Sequence, residues 1–199
     1  MKAIRITAPG GSDVMKLEEM PTPQPGKGQL LVKLDAAGLN YVDTYQRSGL
    51  YPMQLPYTPG SECAGTVEAL GEGVSGFSKG DKVAWTGILG AYAEYELIPA
   101  DRAVKVPKGM EPKMAAAIML QGMTAHYLAH DTYPLKKGDW CLVHAGAGGV
   151  GLLLIQMAKM AGAMVISTVS TDEKAKLAKD AGSEHVIQYS KPGGQPQRG

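Results

Sequence analysis

Three glycines, Gly146, Gly148 and Gly151, stand in G-x-G-x-x-G spacing inside the stretch LVHAGAGGVGLLLIQMAKMAG. The pattern is weak by itself. Here it directly follows an apolar run that reads as a strand and opens one that reads as a helix, the context in which it cradles a pyrophosphate. Gly146 would permit the tight turn, Gly148 the close approach of phosphate, and Gly151 close packing of helix on strand. Unpaired N–H groups and the positive end of the helix dipole would then face the phosphates. A carboxylate at the end of the following strand would bond ribose hydroxyls and repel a 2′-phosphate. This chain has Ser170 there, followed by TDEK. A hydroxyl with Lys174 one helical turn further on can accept a 2′-phosphate, which points to NADPH. Asp172 is the residue that argues against it.

Other chemistries are poorly supported. His126 and His130 have the i,i+4 spacing of a metal-binding pair, but no cysteine is near and Asp131 falls on a neighbouring face, so no metal site is expected. His144 and His185 fall in strand patterns and read as structural. There is no Ser-His-Asp order, nucleophile elbow or P-loop. Cys63 reads as a small buried residue.

The elements that must position the glycines follow from pattern. Up to about Pro107 the chain reads as short strands between glycine and proline turns, the clearest being LLVKLDAAG, ECAGTVEALG, DKVAW and AYAEYELIP. From Glu111 a run rich in alanine, methionine and leucine reads as helix, with Pro112 near its start. An alternation follows: strand Trp140–Ala145, helix Val150–Ala161, strand Met164–Val169, helix Asp172–Ala181 and strand His185–Tyr189. Ser170 and Glu173 suggest a capping box, and Gly182 a C-terminal cap. The expected fold is therefore α/β: a mostly β first domain, then a parallel sheet covered by helices. The closing SKPGGQPQRG reads as a disordered tail.

Bulk composition sets outer bounds. The chain has 199 residues, a formal net charge of +1 and two cysteines, Cys63 and Cys141. That charge gives no footprint for nucleic acid or an anionic membrane surface. Two cysteines build neither a disulfide framework nor a four-cysteine zinc site, and they fit a reducing cytoplasm. No apolar run has the length of a signal peptide core or a bilayer span.

Four stretches, AAGLNYVDTYQRSGLYP, PGSECAGTVEALGEGV, QGMTAHYL and VHAGAGGVG, resemble the quinone oxidoreductase (zeta-crystallin-like) branch of the medium-chain dehydrogenase/reductase superfamily. The resemblance runs from Met1 to about Tyr189. Zinc-dependent relatives place a ligating cysteine where this chain has Asn40 and a ligating histidine where it has Ser61, so the resemblance implies the zinc-independent branch. It implies a GroES-like catalytic domain (1–122), the first half of a Rossmann NADPH-binding domain (123–190) and a divergent tail (191–199). It also implies hydride transfer from NADPH to a quinone, with an enone or alkenal reductase, or a non-catalytic crystallin-like protein, as alternatives. Asn40, Asp43, Tyr45 and Tyr51 would line the nicotinamide and substrate cleft, with Thr124 and Tyr127 at its hinge side. Gly148, Gly149 and Val150 would meet the pyrophosphate, and Ser170, Lys174 and Tyr189 the 2′-phosphate. Family members continue for more than a hundred residues beyond Tyr189, which suggests a truncation or frame change after Ser190. The Trp140–Ala145 strand would then be a sheet edge, and a homo-oligomer is expected.

Overall fold

The computed structural model of the protein describes residues 1–191. Beyond Lys191, the tail expected at 191–199 lies outside the described residues. The chain divides into two compact units, Met1–Leu120 and the residues from Gln121 onward.

The first unit is mostly β. Strands β1 (Lys2–Arg5) and β2 (Lys16–Glu19) form an antiparallel pair. Strand β3 (Gln29–Ala37) leads into helix α1 (Tyr41–Ser48), and β4 (Glu62–Leu70), β5 (Lys82–Thr86), β6 (Tyr95–Pro99) and β7 (Val104–Lys105) follow. These five strands make one antiparallel sheet in the order β6-β3-β4-β5-β7. Inward residues alternate along the strands and close a core of Leu30, Val32, Cys63, Val67, Val83, Trp85 and Ile98. Helix α1 is absent from a reading made of short strands alone. Its start was nevertheless legible: the Asp43 carboxylate accepts from the Asn40 N–H at 2.8 Å, half of a capping box. Gly49 ends the helix at φ 83°.

One carboxyl sits inside this β core. Glu96, 5% exposed, receives the Cys63 thiol at Oε2 over 3.4 Å. Burial pushes its carboxyl up to about 7 from the usual 4.5, against the lowering influence of that hydrogen bond. A raised carboxyl stabilises the fold below its unfolded value and loses that contribution as pH rises through the folded one. The chain should therefore lose on the order of 3 kcal/mol between about pH 4.5 and 7 from this group. Denaturant midpoints on either side of that window should differ in the wild type and differ much less in Glu96→Gln. An unchanged pH slope in the variant would show that Glu96 is not the source.

Helix α2 (Pro112–Tyr127) begins in the first unit, and its C-terminal part, from Gln121, belongs to the second and continues as a π-helical turn, Leu128–Thr132. Strand β8 (Trp140–Val143), helix α3 (Gly149–Met160), β9 (Met164–Val169), helix α4 (Asp172–Asp180) and β10 (His185–Gln188) follow. The three strands are parallel in the order β10-β9-β8. Val143, Ile155, Ala158, Val165, Val169 and Ala178 form the core between sheet and helices. Inside it Ser167 and Ser183 satisfy each other, hydroxyl to hydroxyl, at 2.8 Å. Two local expectations shift. The cap of α4 is Thr171, not Ser170: its hydroxyl accepts from the Lys174 N–H at 3.2 Å. Strand β8 stops at Val143, two residues early, because Ala145 turns the chain at φ 50°.

Candidate dinucleotide and substrate sites

Gly148 caps α3 at φ −77° and ψ 168°, extended backbone open to any residue. A Cβ there would meet only the Ala145 carbonyl oxygen, at 3.1 Å. The backbone angle does not call for glycine here, and the crowding comes from that one turn carbonyl, which stands closer than an ordinary contact. The other two glycines serve the fold. A Cβ on Gly146 would lie 2.7 Å from Ser167 Cβ, and one on Gly151 only 2.4 Å from the Ala145 carbonyl oxygen. Gly146 is thus required by the approach of β9, while the left-handed turn itself falls on Ala145. Gly149 lies beneath the Gln121 side chain, a neighbour that no spacing rule supplied. The Leu152 N–H reaches Gly148 O at 2.9 Å. The N–H groups of Gly149, Val150 and Gly151 therefore stand at the open end of the helix.

At the end of β9 the structure brings Ser170 and Lys174 together, Nζ to Oγ, at 3.3 Å. Tyr189, half exposed, follows β10 and donates its N–H to Val169 O at 3.2 Å. Asp172 is engaged with Lys191, whose Nζ lies 2.6 Å from Oδ1. The hydrogen bond from Lys191 above all holds its carboxyl below the usual range. Its charge thus faces a cation of its own. Thr124 and Tyr127 lie on the last turn of α2, with Tyr127 half exposed. The remaining histidines have structural neighbours. His144 Nδ1 lies 3.2 Å from Thr168 Oγ1, His185 stacks on Trp140, and His126 and His130 lie ring to ring at 4.3 Å. Among the described residues no group of three or more His, Cys, Asp or Glu is placed to hold a metal.

In the first unit Asn40 and Asp43 are joined by residues that sequence reading missed. Glu62, 1% exposed, accepts from Asn40 Nδ2 at 2.9 Å and, through its other oxygen, from the Leu120 N–H at 2.6 Å. Tyr92 donates its hydroxyl to Asp43 Oδ2 at 2.8 Å. Burial first, and the Asp43 carboxylate second, hold the Tyr92 phenol above its ordinary range, so it stays a donor. A Cβ on Gly38 would fall 2.0 Å from Glu62 Oε2; the glycine makes room for the carboxyl. Ser61 Oγ is buried without a partner among the described residues. An amide already committed to Glu62 and a hydroxyl are not the thiolate and imidazole that a zinc centre selects. Beside them the exposed rings of Tyr41 and Tyr45 stack, with centroids 6.4 Å apart, and Tyr51 meets Tyr45 edge-on at 5.6 Å. This is an aromatic surface suited to a flat apolar ring.

Comparison with known proteins agrees with both halves. Residues 26–108 match the alcohol dehydrogenase GroES-like domain, and residues 149–197 match the zinc-binding dehydrogenase family. A quinone oxidoreductase of Pseudomonas aeruginosa is 46% identical over 191 residues, 95% of this chain and 59% of that protein. A 2-haloacrylate reductase of Burkholderia is 43% identical, over 91% of this chain and 56% of that one. The structure of Escherichia coli quinone oxidoreductase complexed with NADPH superposes with a TM-score of 0.93 at 40% identity, covering 96% of this chain and 60% of that chain. The chain thus spans a little under three fifths of the length of the curated relatives named here. With both family matches, these identities and a glycine turn on a parallel sheet, the chain is similar to the zinc-independent, quinone oxidoreductase-like branch of the medium-chain dehydrogenase/reductases.

Proposed function

We propose that this chain carries the NADPH-binding turn and the substrate-side residues of an NADPH-dependent quinone reductase. Gly148 carries the reading: its backbone is ordinary and its one near neighbour is the Ala145 turn carbonyl, so its missing side chain makes sense as room for a phosphate. Bound NADPH would supply the hydride. The N–H groups of Gly149, Val150 and Gly151 would hold the pyrophosphate, with Gly146 keeping the turn close to β9. Ser170, Lys174 and Tyr189 would receive the 2′-phosphate, and Lys191 would mask Asp172. Asn40, Asp43, Tyr45 and Tyr51 are proposed to hold the quinone ring, with Glu62 and Tyr92 fixing the first two. Thr124 and Tyr127 are proposed to serve the cofactor from α2. The assay is NADPH consumption with a small quinone, with and without a chelator. Turnover indifferent to the chelator is expected, and loss of turnover on chelation would overturn the zinc-free mechanism.

Lys174→Ala should remove most of the preference for NADPH over NADH. A charge-assisted bond to phosphate contributes about 1.5–3 kcal/mol, so NADPH affinity should fall roughly 10-fold or more while NADH affinity holds. Equal losses for both nucleotides would show that Lys174 does not read the 2′-phosphate.

The 43% identity to a 2-haloacrylate reductase favours one second reading, reduction of an electron-poor alkene. Product analysis with an enone separates it from quinone reduction. A homo-oligomer is part of the same proposal. It is supported by β8, which lies at the sheet edge among the described residues with Trp140 and Leu142 more than half exposed; a monomer by light scattering would contradict it. Among the described residues no helix is long and apolar enough to cross a membrane. A cytoplasmic location is proposed on the two unpaired thiols, Cys63 and Cys141, and cell fractionation tests it.

A further inference from the structure

His126 lies in the last turn of helix α2 and His130 in the π turn that continues it. Residues four apart share one face of a helix, and a single π turn within a helix often marks a functional site. The two imidazoles lie with ring centroids 4.3 Å apart. Both residues are exposed, and both line one recess of about 590 Å³ together with Leu135 and Met157. A solute in that recess reaches both rings. Among the described residues no hydrogen bond holds either ring. A first-row metal about 2.0–2.1 Å from one nitrogen of each ring, with its two bonds at a right angle, puts the ring centres about 4–5 Å apart. The observed separation falls in that range.

We propose that His126 and His130 form a surface site for one copper(II) ion, each giving one imidazole nitrogen, with water completing the coordination. Two nitrogens at a right angle occupy adjacent corners of a square, the tetragonal arrangement that copper(II) and nickel(II) favour, and of the two copper binds such ligands more tightly. Structural zinc takes four protein ligands in a tetrahedron; among the described residues no third His, Cys, Asp or Glu completes a metal group here. The lack of a nearby cysteine, which told against a metal from spacing alone, does not bear on a two-nitrogen copper site. The site uses none of the residues proposed for NADPH or the quinone.

Titration of the chain with copper(II) chloride in a non-coordinating buffer, followed by electron paramagnetic resonance, tests it. One bound copper per chain is expected, with a spectrum split by two nitrogen nuclei. His126→Ala and His130→Ala, each checked for an unchanged fold by circular dichroism, should each weaken binding at least about 10-fold, no less than the loss of a group behind a metal ligand costs. His185→Ala, which removes an imidazole stacked on Trp140 and outside the pair, should leave binding unchanged. No binding, a spectrum without two nitrogens, either variant binding like the wild type, or an equal loss in His185→Ala would overturn the proposal. Because no nucleotide is present, a failure here leaves the reductase reading intact, and a failure of nucleotide binding leaves this one intact.

Discussion

Gly148→Ala is expected to cost the chain dinucleotide binding while leaving its stability nearly unchanged, and Gly151→Ala to cost it both. At Gly148 the backbone already suits alanine, and the new methyl meets one turn carbonyl at 3.1 Å. The unit should keep its stability within about 1 kcal/mol, aided by a stiffer unfolded chain. A methyl placed where the pyrophosphate would approach should reduce affinity at least about 10-fold. At Gly151 the methyl would sit 2.4 Å from the Ala145 carbonyl oxygen and 2.9 Å from Gly146 Cα. Backbone cannot swing aside as a long side chain can, so helix and turn must separate. Overpacking of this kind costs about 1–3 kcal/mol, and better helix propensity returns only about 1 kcal/mol. Thermal unfolding and nucleotide titration of both variants separate the two effects. If Gly148→Ala binds NADPH like the wild type, the glycine serves the turn and not a ligand.

Glu62→Leu is the second change with a large expected effect. It leaves the Asn40 amide and the Leu120 N–H without their shared acceptor, in surroundings where Glu62 itself is 1% exposed. Each stranded buried donor costs about 1–3 kcal/mol, so a loss of about 2–5 kcal/mol is expected. Glu62→Gln should be milder. Its carbonyl oxygen can still accept from Leu120, and Asn40 can turn its own oxygen toward the new amide. Urea midpoints for the two variants decide it. A Glu62→Leu chain as stable as the wild type would show that the network holds nothing together.

What the sequence made legible was local. The parallel strands and helices after Trp140 announce themselves by periodicity, and Met164–Val169 is the strand observed. Gly182 stands just past the end of α4 at φ 116°, as a C-terminal glycine should. Helix α1 is marked at its ends by Asn40, Asp43 and Gly49, but the β pattern on either side of it hides its short span. The cap of α4 slipped by one residue because Ser170 and Thr171 carry the same hydroxyl chemistry. Within the glycine turn the spacing anticipates the close packing at Gly151, but it puts the tight turn on Gly146, where the left-handed residue is Ala145. Whether a glycine answers to φ, to Ser167 or to open space depends on β9, which is some twenty residues away in the chain. The partners of Asn40 and Asp43 were out of reach for the same reason. Glu62 lies 22 residues from Asn40 and 58 from Leu120, and Tyr92 lies 49 from Asp43. Only the folded sheet brings them together.

Calorimetric titration of the wild-type chain with NADPH and with NADH tests the central claim most directly, since it asks for the glycine cradle and the Ser170–Lys174 pair together. NADPH should bind at least about 10-fold more tightly than NADH, the expected contribution of one charge-assisted phosphate bond. Equal affinities, or no binding of either nucleotide by the folded chain, would contradict it.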